Sequence, residues 1–146
     1  MPWKFTRINQ DTLGNRRACE NMARKALENG KIAIIDRCNF DTEQRRHWVE
    51  IAKQARVPCE CVIFSYNKED CVRRCEQRGN NHETIKPHMA RGVVERIASQ
   101  FYPPVPRGRH HDAAKCKGGE FFRRVECVSS FTMANSTAER YLSQQH

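Results

Sequence analysis

The stretch Gly30-Lys31-Ile32-Ala33-Ile34-Ile35-Asp36-Arg37-Cys38-Asn39-Phe40-Asp41-Thr42-Glu43-Gln44-Arg45-Arg46 decides the fold. It reads as helix end, strand, loop and helix start. Gly30 suits the left-handed position that follows a helix. Ile32 to Ile35 is a short, unbroken apolar run rich in β-branched residues, as expected of a strand buried on both faces of a parallel sheet. Asp36 then falls at the carboxyl end of that strand, where open α/β sheets place their ligands. Asp41 and Gln44 have the spacing of a helix-capping box. A carboxylate at the end of a buried strand is costly without a partner, a metal or a ligand. On this segment alone, a capping or turn role for Asp36 stands equal with a ligand-facing one.

Working outward, the same alternation repeats. Phe5 to Ile8 reads as a short strand and Asn9 to Gly14 as a polar loop. Ala18, Cys19, Met22, Ala23, Ala26 and Leu27 recur at helical spacing, so a helix is expected from about Asn15 to Asn29. Trp48, Val49, Ile51, Ala52 and Ala55 mark a second helix from Thr42. Cys59 to Tyr66 is a second apolar strand, and a further helix runs from Lys68 to Gln77. Gly79 to Asn81 is a turn. Lys86 to Phe101 reads as a long helix with Pro87 in its first turn. Pro103, Pro104 and Pro106 end it. Arg107 to Gly119 is polar and reads as a surface loop, Phe121 to Val128 as a last strand, and Asn135 as the cap of a short terminal helix. Strand and helix in alternation predict an α/β fold: a three-layer parallel sheet flanked by helices.

At 146 residues the chain is long enough for one domain with a core. Hydrophobic residues make up 38% and charged residues 29%, an ordinary globular balance. No apolar run approaches the ~20 residues that span a bilayer, so no membrane association is expected. The start Met1-Pro2-Trp3-Lys4-Phe5 passes directly into polar sequence, so no signal peptide is expected, and a nuclear or cytoplasmic location is. The net charge of +9 favours anionic partners such as nucleic acid or nucleotides. Arginines cluster at Arg16-Arg17, Arg45-Arg46, Arg73-Arg74-Arg78, Arg107-Arg109 and Arg123-Arg124. For Arg16, Arg17, Arg45 and Arg46 solvated helix faces are an equal reading. Eight cysteines without a secretory signal are expected to be reduced. No C-x2-C knuckle occurs, and most of the cysteines read as small buried hydrophobes rather than zinc ligands.

Several ordered pieces resemble the P-loop kinases of the polynucleotide 5′-kinase type. These are Ile8-Asn9-Gln10-Asp11-Thr12-Leu13-Gly14, Gly30-Lys31 leading to Ile35-Asp36-Arg37-Cys38-Asn39-Phe40-Asp41, and Gln44-Arg45. Further pieces are Val57-Pro58-Cys59, Cys71-Val72-Arg73-Arg74-Cys75-Glu76-Gln77-Arg78-Gly79, His82-Glu83 and Phe101-Tyr102-Pro103-Pro104. The likeness leans toward the kinase-like domains joined to aprataxin-type histidine-triad repair proteins. It covers roughly residues 5 to 128, with 109–118 as an insertion. The implied organisation is a kinase-like domain over 1–130 and a tail or helix over 131–146.

The resemblance implies ATP-dependent phosphoryl transfer to a nucleic-acid 5′-hydroxyl, with ATP and Mg²⁺. Asp11 matches the family's base, which accepts the hydroxyl proton. Arg74 and Arg78 match the R-x3-R-G of the family's lid helix. Four-residue spacing puts both guanidiniums on one face, where phosphate oxygens can meet them. Asp36 is placed as support for the metal or phosphate site, and Arg37 and Asn39 as substrate contacts in the same loop. The family's G-x4-G-K-[S/T] loop is not found among the glycines at 14, 30, 79, 92, 108, 118 and 119. The chain as written is therefore expected to be inactive. It reads as a truncated or fragmentary kinase domain, as a degenerate basic nucleic-acid-binding module, or as one part of a site that a partner chain completes.

Overall fold

The computed structural model describes residues 4–82, 84–104 and 122–143. The chain divides into two compact units, Met1–Glu60 with Phe101–Arg124 and Cys61–Gln100 with Val125–His146. The expected loop over Arg107 to Gly119, with the insertion at 109–118, lies outside the described residues.

In the first unit strand β1 covers Phe5–Asn9, helix α1 Gln10–Leu13, helix α2 Arg16–Glu28, strand β2 Ile32–Asp36 and helix α3 Thr42–Gln54. β1 and β2 pair in parallel, in register from Phe5 opposite Ile32 to Asn9 opposite Asp36. Local chemistry sets each boundary. The Asn15 side chain accepts from Ala18 N at 2.9 Å and starts α2. Gly30, with φ 67°, closes it, and Lys31 N returns to Ala26 O at 2.9 Å. The Asp41 carboxylate accepts from Gln44 N at 2.7 Å and caps α3, as the spacing anticipates.

The helices pack on one face of the strand pair. Ile8, Cys19, Ala23, Trp48 and Ile51 form the buried cluster, with Leu13, Leu27, Ala33 and Ile35 against it. Burying a side chain such as Ile8 contributes about 1.5–3 kcal/mol. β2 departs from the expected two-sided burial. Ala33 and Ile35 turn toward the core, while Ile32 and Ile34 are 47% and 46% exposed. Within this unit the helices pack on the side of Ala33 and Ile35, so the strand's period-2 alternation decides which isoleucines they bury. A second correction concerns Asn9 to Gly14. It is not simply a loop but a single helical turn, because Asn9 Oδ1 accepts from Asp11 N at 2.8 Å and Thr12 N at 3.3 Å. Gly14, with φ 85°, ends that turn.

In the second unit strand β3 covers Glu60–Phe64, helix α4 Lys68–Gln77, helix α5 Ala90–Gln100, strand β4 Arg124–Val128 and helix α6 Phe131–Ser143. Glu60 and Arg124 fall at the boundary between the units. β3 pairs with β4. Arg123 N donates to Cys59 O and Ser65 N donates to Val128 O, each at 2.8 Å, so the two strands run the same way. The long helix expected from Lys86 begins instead as a 3-10 turn at Pro87–Met89 and becomes α-helical at Ala90. Asn135 does not cap the last helix. α6 starts at Phe131, where Ser130 Oγ accepts from Met133 N at 3.2 Å. The architecture is α/β, with parallel strands flanked by helices. No helix among the described residues is long and apolar enough to cross a membrane. Of the described cysteines Cys19 alone is buried, and Cys38 and Cys127 are exposed, against the expectation of mostly buried thiols.

Candidate active site

Because β1 and β2 are parallel and end in register at Asn9 and Asp36, everything that follows each strand emerges at one carboxyl edge. Asp11 sits there in the first turn of α1, exposed, one residue after Gln10. Asp36 is the last residue of β2, and Arg37 and Asn39 lie in the loop that leads to α3. The structure thus gathers Asp11, Asp36, Arg37 and Asn39 at one end of one strand pair. Arg74 and Arg78 belong to the second unit.

Asp36 has found partners within the strand pair. Its Oδ2 accepts from Arg7 Nε at 2.7 Å, from Arg7 Nη2, and from Asn9 Nδ2 at 3.2 Å. Arg7 lies on the same exposed face two residues before Asn9, so strand alternation brings it to the carboxylate. The suspected cost of a buried, unpaired Asp36 is therefore not incurred. The carboxylate is exposed and neutralised by a guanidinium.

The loop after β2 is tied down from beneath. Arg45 is only 3% exposed, and its Nη1 donates to Asn39 O at 3.0 Å and Tyr102 O at 2.8 Å. Tyr102 N in turn donates to Phe40 O at 2.8 Å. Trp48 Nε1 donates to Asn39 Oδ1 at 3.0 Å. The reading of Arg45 as a solvated-face residue is thus corrected. Its spacing to Trp48, Val49 and Ala52 puts it on the apolar stripe of α3, and that signal stood in the sequence. Arg37 lies with its guanidinium 5.5 Å from the centre of the Trp48 ring. Its Nη1 is buried and has no hydrogen-bond partner among the described residues. A buried, unsatisfied guanidinium nitrogen calls for an acceptor.

Arg74 in α4 and Arg78, the C-cap residue of that helix, are exposed and four residues apart. Arg74 lies over the Tyr66 ring at 4.4 Å. Arg73, off that face, pairs with Asp70 at 2.7 Å. Arg91 of α5 meets Glu69 through two hydrogen bonds of 3.1 and 3.0 Å. That hydrogen bonding, with the guanidinium's charge, lowers the Glu69 pKa. Burial raises that of the Cys71 thiol, and the neighbouring Cys75 adds to the shift.

No group of three or more His, Cys, Asp and Glu among the described residues is arranged to hold a metal. With Asp36 Oδ2 engaged by Arg7 and Asn9, the described residues do not form a Mg²⁺ site, and no step is assigned to one.

Open α/β sheets place their ligands at the carboxyl edge of their strands, and this unit sets acidic, cationic and amide groups there. The sequence matches the family described as "AAA domain" over residues 5–104, and the chain belongs to that P-loop, kinase-like family. It is 30% identical over 113 residues to "Transcription factor bHLH140" of Arabidopsis thaliana, covering 73% of this chain and 12% of that protein. It is also 32% identical over 65 residues to "Bifunctional polynucleotide phosphatase/kinase" of Schizosaccharomyces pombe, covering 44% of this chain and 16% of that protein. The chain thus spans less than a fifth of either relative. Proteins of this kinase-like kind generally use ATP and Mg²⁺.

Proposed function

We propose that this chain is the acceptor-side part of a polynucleotide kinase-like domain, which transfers phosphate from ATP to a 5′-hydroxyl of nucleic acid. The observation that carries the reading is the shared carboxyl edge of β1 and β2, which gathers Asp11, Asp36, Arg37 and Asn39. The likeness to a polynucleotide phosphatase/kinase supports a nucleic-acid acceptor. In this proposal Asp11 accepts the proton of the attacking hydroxyl. Arg37, in the loop after β2, takes an anionic oxygen of the substrate. Asn39 spends its side-chain oxygen on Trp48 and offers its amide nitrogen. Arg7 and Asn9 hold Asp36 as a positioning group. Arg74 and Arg78, which belong to the second unit, are phosphate-binding cations in this proposal. The domain extends over 1–130, with α6 in the 131–146 tail. The narrower placement, beside the kinase-like domains joined to aprataxin-type proteins, rests on the ordered motifs of the sequence. A nuclear or cytoplasmic location belongs to the same proposal.

The test is transfer of labelled phosphate from ATP to a 5′-hydroxyl oligonucleotide. The 146-residue chain, which contains no G-x4-G-K-[S/T] run, is expected to show none. In a longer gene product that carries such a loop, Asp11→Ala is expected to lower kcat by about 10²–10⁴-fold, the usual worth of a positioned base. Equal activity of the variant removes Asp11 from the mechanism.

One observation favours a second reading, a non-catalytic basic module that binds nucleic acid. Arg7 already occupies the carboxylate that phosphoryl transfer would want for its metal or phosphate site. On that reading the longer product binds oligonucleotide with steep salt dependence and transfers nothing.

A further inference from the structure

The second unit carries an aromatic feature that the kinase reading leaves unused. Phe64 is the last residue of β3, and Tyr66 follows two positions on. Their rings are parallel to within 8°, with centroids 6.4 Å apart. Phe64 is 65% exposed, well beyond what a strand residue needs to present to water. The Arg74 guanidinium lies over the Tyr66 ring at 4.4 Å, and Arg74 forms no ion pair with another described residue. Its charge thus lies over an aromatic face with no carboxylate partner among the described residues. The adjoining side chains are Ser65, Asn67 and Lys68, which are polar or cationic and exposed.

We propose that Phe64, Tyr66 and Arg74 form a stacking platform for an unpaired nucleobase of single-stranded nucleic acid, with Arg74 meeting the neighbouring phosphate. The proposal deepens the nucleic-acid reading above and rests on it. The exposed Phe64 ring, parallel to the part-buried Tyr66 ring, offers a π-face that any base can cover, and base–aromatic stacking is tolerant of sequence. A guanidinium already lying over one ring adds a cation at the edge of the stack. An apolar protein partner is disfavoured by the surroundings, because it would have to bury the Arg74 guanidinium beside the ring. The charge of +9 supplies the long-range attraction for a polyanion.

The experiment measures binding of the 146-residue chain to three labelled probes at low salt. These are an oligo(dT) strand of about twelve nucleotides, within the site size of single-strand binders, an abasic strand of the same length and charge, and a blunt duplex. The wild type is expected to bind oligo(dT) about tenfold more tightly than the abasic strand, as one stacked base implies. Phe64→Ala is expected to remove that preference and leave abasic binding unchanged. Phe64→Leu keeps apolar area without a ring and is expected to behave as Phe64→Ala, whereas Phe64→Trp keeps the preference. Circular dichroism checks that each variant is folded, and the Leu and Trp pair carries the test if the alanine variant is not. Equal wild-type binding of oligo(dT) and abasic strands overturns the platform and leaves the nucleic-acid reading standing. So does an unchanged preference in Phe64→Leu. Absence of binding to all three probes overturns both.

Discussion

The β1–β2 pair with helix α3 in the first unit, and helix α4 with its C-terminal end in the second, both carry arginines, and the two regions hold them differently. In the first, Arg45 is buried and bonded to main-chain carbonyls, and Arg7 is bonded to a carboxylate on the neighbouring strand. In the second, Arg74 and Arg78 stand on an exposed helix face, and Arg74 is held by the face of a ring. An arginine bonded to main chain fixes a loop. An arginine resting on an aromatic face keeps its donors for something else. The difference separates groups that build the site's frame from groups available to a ligand.

The comparison breaks most visibly at Arg45. Replacing it by Met removes its part-buried hydrogen bonds to the carbonyls of Asn39 and Tyr102, and losing such a charged donor costs about 1.5–3 kcal/mol. We expect Arg45→Met to lose about 3 kcal/mol in urea unfolding. Arg74→Ala, an exposed helix substitution, is expected to stay within about 0.5 kcal/mol of wild type. Equal losses at the two positions would erase the distinction between frame and ligand groups.

Trp48→Phe sharpens it next. The ring volume is largely kept, while the hydrogen bond to Asn39 Oδ1 disappears and the Arg37 guanidinium loses its larger π-face. The expected loss is about 1.5 kcal/mol, from one hydrogen bond and a weakened cation–π contact, read from the same unfolding curves. Asp41→Ala removes the cap of α3 and is expected to cost about 1 kcal/mol.

The smallest effect belongs to the exposed pair Glu69–Arg91 on the second unit. The bidentate hydrogen bond and charge of Arg91 lower the Glu69 carboxyl below its ordinary value of 4.5. A depressed carboxylate contributes above its unfolded pKa, and that contribution is lost as pH falls through the folded value. An NMR titration of the Glu69 side chain is expected to show a midpoint below 4.5, returning toward it in Arg91→Ala. Both groups are exposed, so the melting temperature is expected to hardly move.

Much of the fold was legible in the sequence because local chemistry dictates it. Asn15 and Gly30 bracket α2, Asp41 opens α3, and Lys68 to Gln77 is α4 as its spacing requires. What escaped depends on which faces meet. A run such as Ile32 to Ile35 looks equally buried whichever side the helices cover, and the structure covers one side. Asn9 reads as a loop residue until its side chain is seen capping α1. Arg45 was hidden by its own charge, although its place on the stripe with Trp48 was visible. The Arg7–Asp36 pair depends on strand register across 29 residues, which no local pattern reports.

Asn9 sets a limit on what this site tolerates in the course of sequence drift. Its Oδ1 accepts from the turn that carries Asp11, while its Nδ2 donates to the carboxylate of Asp36. A side chain that both accepts and donates at that short reach is required. Aspartate would set a second negative charge against Asp36, serine stops short, and glutamine carries its amide one methylene too far. The position therefore favours asparagine, whose single amide links the turn of Asp11 to the end of the neighbouring strand.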